Sequence, residues 1–374
     1  MGSLNIKLNR NADEPLHLQL SEALQRYILN SSVNTTFLPS ERSLCDDLKL
    51  NRSTVHRAYE ALVQKGIVRP GTNKKLEIAP DARRLLAGAF PAIGVLLPEK
   101  FSTYVSNSNA SSLPYLKGIF DRAAEQNCSV FMLQIPPPET SESEMESFME
   151  SNLDKLIGII HLGARDCASD RPLDMVFQCD HLPQIAISGT SEFCHIGSVR
   201  TDFTGAAKEL AARLKEKKCR TFGILDSACF RHRTFTYAVA ERSRIMKKIL
   251  TDSGLQLLPQ WHIEADLPEN AGKFLAAAYT KNIQLPDFLW CINDHTALQA
   301  AEFFSAQGIK IPDDLKIAGF DGINTPRDLT TIGQNYYQLG ADAVDLLLEH
   351  FEKGISKANR NKTVKAFFVS GTTI

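Results

Sequence analysis

The chain has 374 residues, of which 43% are hydrophobic and 23% charged, and its formal net charge is −1. This composition is typical of a globular protein, and the length allows two or three domains. No stretch approaches the roughly 18 apolar residues of a membrane-spanning helix, and the first residues lack the apolar segment of a signal peptide. The eight cysteines are scattered without a Cys-x-x-Cys pair, which disfavours disulfide-rich secreted proteins and zinc ribbons. We therefore expect a cytoplasmic protein.

The charge is unevenly distributed along the chain. Residues 1–79 contain 11 basic and 8 acidic side chains, whereas the remainder has an excess of acidic ones. A basic N-terminal segment on an acidic body is compatible with nucleic-acid binding, but the asymmetry is too small to establish it.

Three amphipathic helices and a short hairpin are predicted in the first 79 residues. The helices are expected at about 15–29, 40–48 and 53–65, and the strands at 67–69 and 75–78. Ser40 is the expected N-cap of the second helix, and Gly66 is the expected stop of the third. This order of elements predicts a winged helix-turn-helix.

In such a domain the N-terminal end of the third helix reaches base edges and phosphates. Polar side chains occupy that end of the predicted helix: Arg52, Ser53, Thr54, His56 and Arg57. Arginine can bond a guanine edge with two hydrogen bonds, and threonine can contact a thymine methyl group or a phosphate. Lys74, in the hairpin turn, is a candidate wing contact. A three-helix module that binds protein instead of DNA would have the same helical pattern.

Three stretches of this segment follow a known family pattern: Pro15-Leu-His-Leu-Gln-Leu20, Leu38-Pro-Ser-Glu-Arg-Ser-Leu44 and Asn51-Arg-Ser-Thr-Val-His-Arg-Ala-Tyr-Glu-Ala-Leu62. Over residues 14–70 the segment resembles the GntR-type DNA-binding domain. The resemblance implies that Arg42, Arg52 and Arg57 are the main DNA contacts, with Thr54 beside them. The wing departs from the family's Gly-x-Gly-Thr tip, because residues 72–75 read Thr-Asn-Lys-Lys.

Residues 80–90 are predicted to be a linker. Pro80 and Pro91 flank the segment, which contains no complete amphipathic element. Arg83 and Arg84 could touch DNA, but a solvated connector is the simpler interpretation.

From residue 91 to 374 the pattern alternates between apolar strands and amphipathic helices. Strands are expected at 92–97, 129–133, 156–161, 184–187, 221–225, 288–291 and 315–320, and helices at about 113–127, 204–217, 237–253, 270–281, 295–307 and 339–353. The alternation predicts an α/β fold, with parallel sheets flanked by helices and enough chain for two lobes. Ligands of such folds bind at the carboxyl ends of strands, so a cleft between the lobes is the expected site.

No catalytic motif is recognisable in this body. The sequence lacks a nucleophile elbow, a P-loop, a zinc-protease motif and a dinucleotide-binding fingerprint. His232 and His295 have no identifiable nucleophile near them in the sequence, and the histidines and cysteines do not have metal-ligand spacing. We therefore expect no enzymatic activity, no cofactor and no metal.

Four stretches of the body follow a known family pattern: Trp290-Cys-Ile-Asn-Asp-His-Thr-Ala-Leu-Gln-Ala-Ala301, Gly308-Ile-Lys-Ile-Pro-Asp-Asp-Leu-Lys-Ile-Ala-Gly-Phe-Asp321, Leu329-Thr-Thr-Ile-Gly-Gln334 and Leu339-Gly-Ala-Asp-Ala-Val-Asp-Leu-Leu-Leu348. On these stretches the body resembles the effector-binding core of LacI-type regulators, which are relatives of periplasmic sugar-binding proteins. The resemblance implies an effector site made by side chains at five positions: Asp202, Arg242, Asn293, Asp321 and Gln334.

The sequence departs from the family's pattern beside two of these positions. Ile245 replaces a glycine three residues after Arg242, where Arg244 is a rival, and Gly322 replaces the second of two aspartates. Phe101 and Tyr104, after the first strand of the body, are candidates for stacking on a sugar ring. Loop packing would explain these two aromatic residues equally well, and helix or turn capping would explain the polar residues Asn293 and Asp321.

Together the two resemblances imply a transcriptional regulator of the arabinose-repressor type of architecture. The expected partners are a pseudo-palindromic DNA operator, a sugar effector and a second copy of the chain, and the expected action is repression. Two other interpretations remain: a DNA-binding protein with a degenerate sensor that ignores ligands, and an enzyme with a DNA-binding head.

Overall fold

The structure is a computed structural model. It describes residues 6, 8–10, 12, 14–31, 35–71, 75–80, 82–88, 91–107, 112–153, 155–163, 170–227, 235–265, 270–280, 283–323 and 328–374. None of the helices in these ranges is long and apolar enough to cross a membrane.

Three helices and an antiparallel hairpin form the N-terminal part, residues 16–78, which we call the head. Its elements are α1 (Leu16–Asn30), α2 (Glu41–Leu48), α3 (Arg52–Gln64), β1 (Val68–Pro70) and β2 (Leu76–Ile78). Leu24, Leu44 and Leu62 lie in its buried core. The Ser40 hydroxyl accepts a hydrogen bond from the Ser43 amide, so Ser40 caps α2 as expected. The predicted order of a winged helix-turn-helix is confirmed.

The expectation of a solvated linker is wrong at Arg83. A short helix, α4 (Ala82–Ala87), follows the head, and the Arg83 side chain is only 4% exposed. Its guanidinium donates to the carbonyls of Leu29 and Ser31 at 3.3–3.5 Å. The last carbonyls of a helix have no partner within it, so this arginine satisfies the end of α1. Burial lowers the Arg83 pKa to about 10.

A parallel sheet with helices on both faces forms the first lobe of the body. Its strands are β3 (Ala92–Leu97), β4 (Ser129–Gln134), β5 (Leu156–His161), β6 (Gln184–Ile187), β8 (Ile196–Asp202) and β15 (Asn361–Lys365), in the spatial order β15-β8-β6-β5-β3-β4. Its helices are α5 (Phe101–Asn107), α6 (Ser112–Glu125), α7 (Glu142–Asn152), α8 (Arg171–Phe177) and α13 (Tyr336–Lys353). Separate buried clusters pack on the two faces of the sheet.

The second lobe repeats this plan. Its strands are β9 (Thr221–Ser227), β11 (Gln256–Ala265), β12 (Phe288–Cys291), β13 (Lys316–Asp321), β14 (Thr330–Gly333) and β16 (Phe367–Val369), in the order β11-β9-β12-β13-β14-β16. Only the β14 and β16 pair is antiparallel among the ladders described in this sheet. Its helices are α9 (Thr204–Glu216), α10 (Ala238–Asp252), α11 (Ala271–Ala278) and α12 (Asp294–Ala306).

The chain passes between the lobes at the ends of three strands. It enters the second lobe after β8, returns to the first between β14 and α13, and crosses again between β15 and β16. A two-stranded antiparallel ribbon, β7 (Gly189–Ser191) with β10 (Phe235–Tyr237), also joins a segment of one lobe to a segment of the other. The predicted two-lobed α/β body is therefore confirmed, and the carboxyl ends of β8 and β14 lie where the lobes meet.

Candidate functional sites

The N-terminal end of α3 presents a polar face, as the sequence predicted. Arg52 and Arg42, on the neighbouring helix α2, have side chains that are 87% and 93% exposed. Ser53 and Arg57 are exposed and Thr54 is half-buried, whereas the apolar side of α3 faces the head core. Arg42 of α2 and Arg52 of α3 line one surface depression together. Lys74 lies outside the described residues.

Glu41 organises part of this surface. Its carboxylate accepts from Arg52 Nε at 3.4 Å and lies 3.0 Å from His56 Nδ1, while His56 Nε2 lies 3.4 Å from Glu60. The hydrogen bond from His56 lowers the Glu41 pKa, and the same bond raises the His56 pKa. Sequence reasoning did not single out Glu41 as an organising residue, because its partners lie 11 and 15 residues away on a different helix.

Between the lobes, a polar cluster joins β8, β13, α10 and α13. Arg242 lies 3.2 Å from the Asp321 carboxylate, and Gln334 Nε2 donates to the same oxygen at 2.9 Å. Thr201 donates to Gln334 Oε1 at 2.5 Å, and Gln334 Nε2 also donates to the Tyr336 hydroxyl at 3.1 Å. We call these five residues the cleft cluster. It brings together three of the residues implied by the resemblance, and it connects side chains of both lobes.

Arg242, and not Arg244, belongs to this cluster. Its side chain is buried, its guanidinium carbon lies 4.0 Å from the centre of the Phe320 ring, and its Nη1 donates to the Ile292 carbonyl at 3.2 Å. Arg244 is exposed and pairs with Glu241 at 3.7 Å, one turn back on the same helix. A ring face, a carbonyl and a carboxylate together compensate the buried charge of Arg242.

Asp321 has an unusual backbone and an unusual titration. Its φ is 121°, a region that residues with a side chain rarely adopt. Burial raises the pKa of its carboxyl, and the Arg242 charge with the hydrogen bonds of Tyr336 and Gln334 opposes that rise. Such strain is found where surrounding structure fixes a side chain in a particular direction.

Asn293 is the N-cap of α12, whereas Asp202 lies one residue before the N-cap of α9. The Asn293 oxygen accepts from the Thr296 amide at 2.8 Å, and the Asp202 carboxylate accepts from the Thr204 amide at 3.0 Å. Asp202 is exposed and Asn293 half-buried. Asn293 follows β12 and Asp202 is the last residue of β8, so both lie at the edge of the sheets where ligands are expected. Their contact with a ligand stays a prediction.

The two aromatic candidates lie in different surroundings. Tyr104 is buried in the core of the first lobe. Phe101 is half-exposed and lines an apolar groove of about 800 Å³ with Leu113, Phe120 and Tyr337. No residue of the cleft cluster lines this groove. Stacking of either ring on a ligand stays a prediction. The burial of Tyr104 in the core and the position of Phe101 in a groove away from the cleft cluster do not favour it.

No metal centre is found in the described ranges, where no group of three or more His, Cys, Asp or Glu side chains is arranged to hold an ion. His232 lies outside those ranges. His295 contacts Gln299 one turn along α12, at 3.0 Å between Nε2 atoms.

Comparisons with known proteins agree with this architecture. Residues 211–373 match the model of a periplasmic binding protein-like domain. An HTH-type transcriptional regulator of Mycolicibacterium smegmatis is 24% identical over 339 residues, covering 82% of this chain and 88% of the relative. Most of the chain is thus similar to a bacterial transcriptional regulator.

Solved structures of transcriptional regulators share the two-lobed fold of the body. A putative transcriptional regulator LacI from Bacillus cereus subsp. cytotoxis superposes with a TM-score of 0.59 at 20% identity, covering 76% of this chain and 98% of that one. The transcriptional regulator CelR in complex with cellobiose gives a TM-score of 0.61 at 13% identity, covering 90% of this chain and 100% of that one. Both solved structures are described as transcriptional regulators.

Proposed function

We propose that this chain is a sequence-specific DNA-binding repressor whose affinity for DNA is controlled by a small polyhydroxylated ligand, most simply a sugar, bound between the lobes. The observation that carries the proposal is the presence in one chain of an exposed arginine surface on α2 and α3 and a buried polar cluster between two lobes. Each has the chemistry that one of the two partners needs.

The proposal for the head is a GntR-type winged helix-turn-helix that reads DNA with α3. Its support is the observed hairpin after α3 and the placement of Arg42, Arg52 and Arg57 on the outer surface. Exposed, flexible arginines with no fully buried partner are free to pair with phosphates and guanine edges when DNA arrives. Lys75, which is exposed beside the Phe37 ring, is the wing cation nearest the tip among the described residues.

The proposal for the cleft is a neutral ligand rich in hydroxyl groups. Arg242 and Asp321 nearly cancel each other's charge, so the cluster has no surplus of positive charge to favour a phosphorylated or carboxylated ligand. Hydroxyl groups both donate and accept hydrogen bonds, and the cluster has guanidinium donors, carboxylate acceptors and an amide within one contact network. The cellobiose complex of CelR, which shares the fold, is consistent with that class.

The chain is proposed to act as a homodimer through the apolar groove of the first lobe. Phe101, Leu113, Phe120 and Tyr337 are each more than a third exposed on that surface. Contiguous exposed apolar residues on a monomer mark an interaction surface. A twofold dimer would present two heads to half-sites one or more helical turns apart, about 34–36 Å per turn.

Two assays test the proposed function directly. Selection from random DNA with the full chain should enrich a pseudo-palindromic sequence. A thermal-shift screen of neutral monosaccharides and disaccharides, cellobiose and lactose included, should find a ligand that stabilises the chain, by about 2.7 kcal/mol at a hundredfold excess over Kd. Enrichment without any stabilising saccharide would favour the ligand-independent interpretation, and stabilisation without enrichment would contradict DNA recognition.

A further inference from the structure

A fully buried carboxylate lies behind the cleft cluster, outside the set of residues that sequence reasoning assigned to it. Asp294 is the first residue of α12 and its exposed fraction is 0%. Its Oδ2 accepts a hydrogen bond from the Ile323 amide at 2.9 Å, and its Oδ1 accepts from the Thr331 hydroxyl at 2.5 Å. Both carboxylate oxygens are therefore occupied by partners from other elements, instead of by the amides of its own helix.

The fit between this carboxyl and β13 is close. A Cβ atom added at Gly319 would collide with Asp294 Oδ1 and lie 3.0 Å from the Asp294 Cα. The absence of a side chain at Gly319 therefore lets α12 start directly against the strand, and the carboxyl cannot turn away from its two partners without a shift of the backbone.

The two partners of Asp294, Ile323 and Thr331, are close in sequence to Asp321 and Gln334, which bond to each other in the cleft. Ile323 is two positions after Asp321, and Thr331 is three positions before Gln334. Asp321 and Gln334 are joined twice, by the side-chain bond of 2.9 Å and by a backbone bond of 3.1 Å from the Gln334 amide to the Asp321 carbonyl. Asp294 thus connects the ends of β13 and β14 that hold the central pair of the cleft cluster.

The electrostatic setting agrees with a buried, constrained group. Burial raises the Asp294 pKa to about 7, the hydrogen bonds from Thr331, Ile323 and Gly322 oppose that rise, and the nearby Asp321 carboxylate adds to it. Cys291, at the end of β12, is also buried, and its pKa is raised mainly by burial and further by the nearby Asp294.

We propose that Asp294 is the positioning residue of the cleft: by fixing the ends of β13 and β14, it holds Asp321 and Gln334 in the geometry that receives a ligand. Asp294 itself touches no ligand. The inference rests on the proposed function of the cleft as a ligand site, but its structural part, the local order of two strand ends, can be measured without any ligand.

The experiment compares amide hydrogen exchange at Gly322, Ile323 and Gln334 in the full chain and two variants, Asp294→Ala and Asp294→Asn. Removal of both acceptors in Asp294→Ala should speed exchange at these amides at least tenfold. The asparagine oxygen can still accept from Ile323, and its amide can donate to the Thr331 hydroxyl, so Asp294→Asn should restore most of the protection. Unchanged exchange in Asp294→Ala would overturn the proposal.

Asp287→Ala is the matched control. Asp287 accepts hydrogen bonds from the Arg220 amide, the Thr221 amide and the Thr221 hydroxyl at 2.7–3.1 Å, at the opposite end of the same sheet. A general loss of stability would speed exchange at the cleft in this variant also. Equal effects of Asp287→Ala and Asp294→Ala on the three amides would therefore overturn the positioning role.

Thr331→Val covers the case in which Asp294→Ala does not fold. It removes the hydroxyl donor with little change of shape. Exchange at the Gln334 amide should become severalfold faster, while exchange at amides of the first lobe stays the same. An unchanged exchange rate at Gln334 would count against the proposal. Affinity for any saccharide found in the screen should then fall tenfold or more in Asp294→Ala and recover in Asp294→Asn. If the wild-type chain binds none, the function proposed for the cleft fails, while the exchange result stands separately.

Discussion

The head and the cleft both depend on arginines, but they use them in opposite ways. Arg42 and Arg52 project from the head into water, with partners at 3.9 and 3.4 Å that are themselves on the surface. Arg242 is buried between a phenylalanine ring, a carbonyl and the Asp321 carboxylate. Exposed pairs contribute little to stability and exchange readily for a phosphate, whereas a buried pair is costly to break. The first arrangement suits recognition of a large charged partner, and the second suits a preformed pocket.

Among the substitutions that test this difference, Arg242→Ala should have the largest effect on stability. The substitution leaves the Asp321 carboxylate buried without its cation, and we expect the free energy of unfolding to fall by about 3–5 kcal/mol. Urea denaturation of the full chain measures it. Arg244→Ala, two residues along the same helix but exposed, should change stability by less than about 0.5 kcal/mol. Equal effects of the two substitutions would show that Arg242 is not the buried member of the pair.

The pH dependence of stability tests whether Asp294 behind the cleft is buried as the structure shows. Asp294 has a pKa near 7 when folded and an ordinary value of 3.8 when unfolded, so folding takes up a proton between these values. Its contribution to stability therefore falls as pH rises from about 4 to 7, by an amount on the order of 4 kcal/mol, and is constant above that. Asp294→Asn should remove this part of the pH dependence. Parallel curves for the wild type and the variant over that window would contradict the assignment.

Arginine substitutions in the head should have the smallest effect on stability but a clear effect on DNA binding. Arg52→Ala and Arg57→Ala should each weaken specific binding to the selected DNA by about 1–3 kcal/mol if the side chain reads a base, with almost no change in unfolding. Arg213→Ala, on the exposed surface of α9, is the control. Binding by Arg57→Ala with the affinity and salt dependence of the wild type would remove Arg57 from the DNA surface.

Strands with continuous apolar burial were predictable from the sequence, and those without it were not. The bounds of β3, β5, β6 and β12 are those expected, because each is a short, almost entirely buried run of mostly apolar residues. The strand β8 was missed: Gly197, Ser198 and Thr201 interrupt its apolar pattern, and its place in the sheet is decided by pairing with β6 and β15, far away in sequence.

Helices without an apolar stripe were also missed. Only Met145 is fully buried on α7, so the periodic signal is weak, and the helix start is marked instead by the capping box of Ser141 and Glu144. In the same way, α4 is too short for periodicity, and its position depends on Arg83 binding the end of α1.

The cleft was predictable only in part. Arg242, Asp321 and Gln334 were expected from the resemblance, and the structure brings them together. Thr201 and Tyr336 were not expected, since a threonine in a strand and a tyrosine at a helix start carry no signal until the lobes are assembled around them. Capping of α12 is the alternative role that the sequence allows for Asn293, and the structure shows that bond.

The measurement that tests the central claim most directly is the affinity of the full chain for its selected DNA, with and without a saturating saccharide found in the thermal-shift screen. Because the effects of two ligands on each other's affinity are reciprocal, we expect the saccharide to weaken DNA binding by at least about fivefold and the DNA to weaken saccharide binding equally. Asp321→Asn should abolish the saccharide effect and leave the affinity for DNA unchanged. DNA affinity that does not respond to a saccharide bound in the cleft would contradict the account.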